Sequence, residues 1–244
     1  MNDQSPANRW PHKLSMFLPC YNEQENLRPV ISHCVQALER LVESWELIIV
    51  DDGSRDATGT IADELAKADG RIRVIHHGLN RGYGGALRSG FQAATGEYVF
   101  FTDGDGQFDV NQIEQLLPLA RQFDIVCGYR VDRQDNAIRK LNAWAWGQLV
   151  RGLLKFNCRD VDCAFKLYRR EIFDRIAMKS TGALISAEIL SRATRMGYTI
   201  GEIGVHHRPR LAGQSTGGNP RVILRAFREL LRLRKDILTP STRE

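Results

Sequence analysis

The sequence predicts an α/β domain built on a mostly parallel sheet, and three observations predict it. Short β-like runs alternate with helical stretches from residue 14 to residue 129. Acidic and glycine residues gather immediately after two of those runs, where open parallel sheets bind ligands. The chain has 244 residues, 43% hydrophobic and 26% charged, enough to bury one substantial core and leave a cleft.

In order, strands are expected over 14–18, 45–50, 71–77, 97–102 and 124–129. Between them 25–43, 56–68, 82–94 and 111–122 carry apolar residues at mixed three- and four-residue spacing, as covering helices do. Asp56 stands where a side chain can cap the second helix from just outside its first turn. Past Arg130 the alternation breaks down into an amphipathic stretch at 139–156, a strand at 164–168, a helix near 183–196 and a strand at 198–206. A Gly/Ser/Thr-rich link at 213–219 leads to a final helix, 221–238, and a polar tail. The expected organisation is one domain over 1–218, followed by a basic amphipathic helix and tail over 219–244, without internal repeats.

Cys20, Cys34, Cys127, Cys158 and Cys163 are an odd, scattered set without CxxC spacing, so they signal neither a disulfide framework nor a zinc knot, and a cytoplasmic, reducing setting is expected. The first twelve residues lack an apolar signal-peptide core, and no run reaches the ~18 apolar residues of a membrane span. A net charge of +5 favours anionic partners without choosing among them.

Asp103 and Asp105, one residue apart on a turn after a strand, can share a hard divalent ion whose other ligands are water and diphosphate oxygens; an ordinary Asp/Gly turn is the alternative. Asp51-Asp52-Gly53-Ser54 is equally double in meaning, since its carboxylates can accept from a ribose or base or simply make a turn. The run Asn80-Arg81-Gly82-Tyr83-Gly84-Gly85 precedes a helix and either offers amides to phosphate or is only a glycine-rich turn. His206 and His207 are adjacent on a strand and point to opposite faces, which argues against a shared metal.

Taken together, Pro19-Cys20-Tyr21-Asn22-Glu23, Asp51 to Asp56, Asn80 to Gly90, Asp103-Gly104-Asp105-Gly106-Gln107 and Gly128-Tyr129-Arg130 resemble the family 2 glycosyltransferases, in particular the dolichyl- and polyprenyl-phosphate sugar transferases. The resemblance runs in order over about residues 14–216. It implies a GT-A, Rossmann-like nucleotide-sugar transferase fold and an inverting, metal-dependent transfer. By resemblance Pro19, Tyr21, Glu23, Val50 and Asp52 would hold the nucleotide, Asp103, Asp105 and Gln107 would hold Mg or Mn, and Arg130 would meet the diphosphate. Arg210 to Thr216 resembles an Arg-x-x-Gly-x-Ser-Lys element that includes Ser215, with Thr216 where the pattern has Lys; Arg208 is the candidate to supply the missing charge. Asp160 to Lys166 departs from the family's Asp-x-Thr-Ser-Gly-Phe-Arg at several positions.

A phosphate acceptor is already anionic and needs no general base, so catalysis would rest on the metal and on Arg130, Arg139 and Arg210. A hydroxyl acceptor would need a base, for which Glu188 is the candidate, with a helix-start carboxylate as its alternative reading.

On a helical wheel, Arg221, Arg225, Arg228, Arg232 and Lys235 share one arc of the last helix, and Phe227, Leu230, Leu231, Leu233 and Ile237 are among the residues opposite. The 139–156 stretch repeats the pattern with Trp146, Leu149, Val150, Leu153 and Leu154. Both suit helices lying at a membrane surface; packing on the chain's own domain is the alternative.

The expectation is therefore a hexosyltransferase using a GDP- or UDP-sugar and a polyprenyl phosphate, peripheral on the cytoplasmic face of a membrane or held by a membrane-anchored partner. No nucleic-acid partner is expected. A transferase to glycan hydroxyls, a nucleotidyltransferase and a non-catalytic nucleotide-sugar-binding module are the competing classes.

Overall fold

A computed structural model of the chain describes residues 9–131, 137–208 and 220–238. Arg210, Ser215 and Thr216 lie outside the described residues, as does the side chain of Arg139.

Seven strands form one sheet: β1 (Leu14–Cys20), β2 (Trp45–Asp51), β3 (Ile72–His76), β4 (Tyr98–Thr102), β5 (Ile125–Val131), β6 (Phe165–Arg169) and β7 (Ile200–His206). Their order across the sheet is β3-β2-β1-β4-β6-β5-β7. Only β6 runs against its neighbours, pairing antiparallel with β4 and with β5. This is the mostly parallel sheet expected. The reversed strand is new, because a run such as Phe165–Arg169 carries no mark of its direction.

The helices are α1 (Leu27–Leu41), α2 (Thr58–Ala68), α3 (Tyr83–Ala93), α4 (Ile113–Leu119), α5 (Ala137–Leu154), α6 (Glu171–Arg175), α7 (Ile185–Arg195) and α8 (Pro220–Leu238). Asp56 caps α2 as expected, its Oδ1 accepting from the Thr58 amide at 3.0 Å and hydroxyl at 2.6 Å. The fourth helix is shorter than 111–122. It opens as a 3₁₀ turn at Val110–Gln112, carries Pro118 in its last turn and ends at Leu119.

Every residue of β2 and β4 is buried, as strands covered by helices on both faces require. An aromatic cluster of Phe17, Phe91, Phe101, Tyr168 and Phe173 joins α3 and α6 to the sheet, with Phe91 and Phe173 stacked at 4.0 Å between ring centroids.

The wide apolar face of α8 divides in two. Leu230, Leu233 and Ile237 are buried, while Phe227 and Leu231 are 41% and 60% exposed. Val150 and Leu154 of α5 are likewise buried, and Trp146 meets Phe227 edge-on at 4.9 Å. Domain packing thus takes much of what the wheel offered to a membrane. Asp236 secures α8 by ion pairs to Lys179 and Arg192.

One carboxylate ties the sheet to its coverings. Glu46 on β2 accepts from Ser15 Oγ (2.6 Å), from the Thr95 amide and hydroxyl (both 2.7 Å), and from Arg73 Nη2 (2.7 Å). Burial alone would raise its pKa, but these hydrogen bonds outweigh it and lower the group to about 2. We predict that Glu46→Ala costs roughly 2–4 kcal/mol in denaturant unfolding at neutral pH, because buried donors lose their acceptor. The contribution of a carboxyl lowered in the folded state is present above its ordinary value of 4.5 and is lost as pH falls towards about 2. The gap between wild type and variant should therefore close over that interval; a gap independent of pH would refute the assignment.

Candidate functional site

Because β1, β2 and β4 are parallel, their carboxyl ends meet at one edge, and the acidic residues that follow them are brought together there. The Asp52 amide bonds the Cys20 carbonyl at 2.9 Å, joining the two chain turns that carry Tyr21-Asn22-Glu23 and Asp51-Asp52. Tyr21 is 41% exposed, Pro19 half-buried and Glu23 buried. Glu23 Oε2 accepts from Asn26 Nδ2 at 2.7 Å, and its carbonyl receives the Asn26 and Leu27 amides as α1 starts. Val50 is fully buried between Pro19 and Ile75 in the ladder, so its side chain lies in the core rather than on the site's surface.

The two aspartates after β2 are held differently. Asp51 Oδ1 accepts from the Ser54 amide at 2.9 Å and Oδ2 pairs with His76 Nδ1 at 3.1 Å. Burial raises this carboxyl, but the Ser54 and His76 hydrogen bonds prevail and hold it below its ordinary range. Asp52, 4% exposed, uses one oxygen: Oδ1 meets His77 Nδ1 at 2.6 Å and the Arg81 amide at 2.8 Å.

After β4, Tyr83 from the start of α3 donates to Asp103 Oδ1 at 3.1 Å. Asp105 Oδ1 accepts from the Gln107 amide at 3.1 Å in a tight turn. Burial first, then the neighbouring Asp105 charge, push Asp103 up to about 7. Two carboxylates under mutual repulsion are what a hard cation relieves, and an all-oxygen donor set suits Mg or Mn. Among the described residues no His, Cys, Asp or Glu cluster of three completes an ion site by itself. The neighbouring Asp103 and Asp105 carboxylates thus suit an ion that draws most of its ligands from water or a bound diphosphate.

Gln107 also stitches this loop to the chain leaving β7. Its Nε2 donates to the Arg208 carbonyl at 2.9 Å, and the Arg208 amide returns a bond to the Gln107 carbonyl at 2.7 Å. The Arg208 guanidinium, mostly exposed, pairs with Asp109 at 3.1 Å. The structure therefore brings Arg208 beside the acidic turn, although 101 residues separate it from Gln107.

Arg130, at the carboxyl end of β5, is clamped by Asp160 through Nε and Nη2, both at 2.7 Å. Burial opposes its charge, but Asp160 outweighs that and keeps the guanidinium firmly protonated. Lys166, fully buried, donates to the carbonyls of Val161 and Cys163 and so supports the turn that carries Asp160.

One expectation is corrected. Glu188 is fully buried, and its carboxylate accepts from the amides of Lys179 (3.0 Å) and Ser180 (2.7 Å) and pairs with Arg192 at 3.0 Å. It is the helix-start carboxylate, with no free face for a base. Of the two readings of the glycine run, the structural one holds at Gly84, whose amide donates to the Thr181 carbonyl at 3.0 Å. A Cβ at Gly84 would lie 2.7 Å from the Ser180 carbonyl oxygen, so glycine here permits close backbone packing. Tyr83, His77 and Asp160 were not singled out from the sequence, because their partners lie 20, 25 and 30 residues away.

The family model for glycosyl transferase family 2 matches residues 15–177. Glycosyltransferase AglD of Haloferax volcanii is 33% identical over 208 residues, which is 81% of this chain and 33% of that protein. The undecaprenyl-phosphate 4-deoxy-4-formamido-L-arabinose transferase of Pectobacterium atrosepticum is 33% identical over 235 residues, 94% of this chain and 67% of that one. This chain therefore spans about a third of the first relative's length and about two thirds of the second's. Among solved structures, glucosyl-3-phosphoglycerate synthase from Mycobacterium tuberculosis, in complex with Mn2+, UDP and glucosyl-3-phosphoglycerate, superposes with a TM-score of 0.68 at 21% identity, over 95% of this chain and 82% of that one. That likeness establishes the GT-A-like fold, and the match over residues 15–177 establishes the ancestry: the chain belongs to glycosyl transferase family 2.

Proposed function

We propose that the chain is an inverting, divalent-metal-dependent transferase that moves a hexose from a nucleoside-diphosphate sugar to a polyprenyl phosphate at the cytoplasmic surface of a membrane. The observation that carries this reading is the acidic edge itself: Asp103 and Asp105 stand on one strand end, and the buried carboxylate Asp52 and the clamped cation Arg130 on others. The similarity of 94% of the chain to an undecaprenyl-phosphate sugar transferase supports the acceptor, and the engagement of Glu188 removes the base that the sequence offered for a hydroxyl acceptor.

Asp52 would accept from the base, with Tyr21 and Glu23 at the ribose. Asp103, Asp105 and Gln107 would hold Mg or Mn, which when bound neutralises charge on the departing diphosphate. Arg130 keeps Nη1 beyond the Asp160 clamp, so it can donate to phosphate oxygens while its plane is fixed. Arg208 would face the diphosphate in place of the lysine for which Thr216 stands, with Ser215, Arg210 and Arg139 completing the anion-binding group. An acceptor phosphate attacks without deprotonation, so these residues orient two anions rather than move a proton.

No helix among the described residues is long and apolar enough to cross a membrane. Phe227 and Leu231 on α8 and Leu149 on α5 are exposed apolar side chains, and Arg228, Arg232 and Lys235 share α8 with them. They support contact with an anionic bilayer surface.

Purified protein with Mn or Mg, a panel of GDP- and UDP-sugars and a short polyprenyl phosphate should release nucleoside diphosphate, and Asp105→Ala should lower the rate at least about 100-fold. Release of pyrophosphate would instead indicate nucleotidyl transfer, and turnover only with glycan hydroxyls would overturn the acceptor. Arg208→Ala should raise the donor KM several-fold; unchanged KM and kcat would remove Arg208 from the site. Sedimentation with anionic liposomes should fall with added salt and fall further in Phe227→Asp/Leu231→Asp. Equal sedimentation by that variant would exclude this face of α8.

A further inference from the structure

Behind the proposed base-side carboxylate lies a buried hydrogen-bond chain that the reaction scheme above does not use. His77 sits just past the end of β3, 4% exposed, with Nδ1 at 2.6 Å from Asp52 Oδ1 and Nε2 at 2.8 Å from Ser89 Oγ on α3. A carboxylate oxygen only accepts, so the proton on the Asp52 side belongs to His77 Nδ1, while the Ser89 hydroxyl, which can donate or accept, holds Nε2 on the other side of the ring. The His77 amide bonds the Asp51 carbonyl at 2.9 Å, which fixes the imidazole's backbone to β2. Gly53, at φ 73°, lets the following loop close: a Cβ there would stand 2.8 Å from the Asn80 amide nitrogen.

The consequence falls on Asp52. Oδ1 already receives two donors, His77 Nδ1–H and the Arg81 amide, whereas Oδ2 accepts from no described residue. The side chain therefore offers one acceptor to a ligand instead of the side-by-side pair of a free carboxylate. Guanine presents two adjacent donors, N1–H and N2–H, which match a bidentate carboxylate. Uracil presents a single N3–H, and cytosine and adenine present an acceptor at the equivalent position.

We infer that His77 and Ser89 are specificity-determining positioning residues, which restrict Asp52 to one free acceptor oxygen and so select a uridine diphosphate donor over a guanosine one. This rests on the reading that Asp52 meets the base. A site that leaves one guanine N–H unpaired discriminates because the unmade hydrogen bond is costly.

Titration calorimetry of the full chain in Mn2+ with UDP, GDP and CDP tests it. Wild type should bind UDP at least about tenfold tighter than GDP or CDP. His77→Leu leaves Oδ1 with the Arg81 amide alone and so opens one acceptor position on it, which should bring the UDP:GDP ratio towards one, while His77→Asn, which keeps a donor facing Asp52, should restore it. Ser89→Ala, mild enough to leave the core intact, should shift the same ratio in the direction of His77→Leu. Equal or tighter binding of GDP by wild type would overturn the inference without any variant. So would an unchanged ratio in Ser89→Ala and His77→Leu alongside loss of UDP binding in Asp52→Asn, a result that leaves Asp52 at the base. If Asp52→Asn bound UDP as wild type does, the base-side reading would fail and this inference with it.

Discussion

The structure is organised around negative charge concentrated at one edge of a parallel sheet. Strands β1, β2 and β4 all end there, so the aspartates that follow β2 and β4 cannot avoid one another. Each is assigned donors of its own. Asp51 has Ser54 and His76, Asp52 has His77 and the Arg81 amide, Asp103 has Tyr83, and Asp105 has the Gln107 amide. These donors stabilise the group without neutralising it; at Asp103 burial first, and then the neighbouring Asp105 charge, outweigh the Tyr83 hydrogen bond and keep the carboxyl raised. An edge with that residual charge is ready for a cation and, through the cation, for a diphosphate.

A second scaffold runs from that edge to the last helix. Tyr83 holds Asp103, and one residue on Gly84 bonds the Thr181 carbonyl. The neighbouring Ser180 amide donates to Glu188, Glu188 pairs with Arg192, and Arg192 pairs with Asp236 on α8. Glycine at position 84 and a buried carboxylate at 188 are thus parts of one connection. Glycine allows two backbones to touch, and the carboxylate satisfies the amides of Lys179 and Ser180 in the segment that leads into α7. The helix carrying the exposed Phe227 and Leu231 is seated on the same frame as the acidic turn.

Legibility in the sequence followed the range of the interactions. The first five strands and the helices between them announce themselves by local periodicity, and the acidic turns by their position after strands. The antiparallel β6 does not, because direction is decided by pairing with β4 and β5 rather than by composition. The Arg130–Asp160 clamp was also hidden. Both residues stood in segments that resembled the family, yet nothing local states that a turn supported by Lys166 folds back on the end of β5. Gly82 to Gly85 stayed ambiguous for another reason, since glycines that cradle a phosphate and glycines that admit a neighbouring backbone look alike in sequence.

The last helix shows why an amphipathic wheel overstates a binding face. Its apolar arc serves two clients, and only packing divides them: Leu230, Leu233 and Ile237 go to the core, Phe227 and Leu231 to the surface. Burying each exposed side chain in lipid contributes about 1.5–3 kcal/mol. Two or three of them scarcely exceed the cost of confining the protein to a surface. Attraction between α8's arginines and anionic headgroups must then provide the margin, at about 1 kcal/mol per basic residue near the surface. Under the proposed function, a patch of this size and charge would make attachment reversible and dependent on ionic strength, as an enzyme taking its donor from water and its acceptor from the bilayer would require.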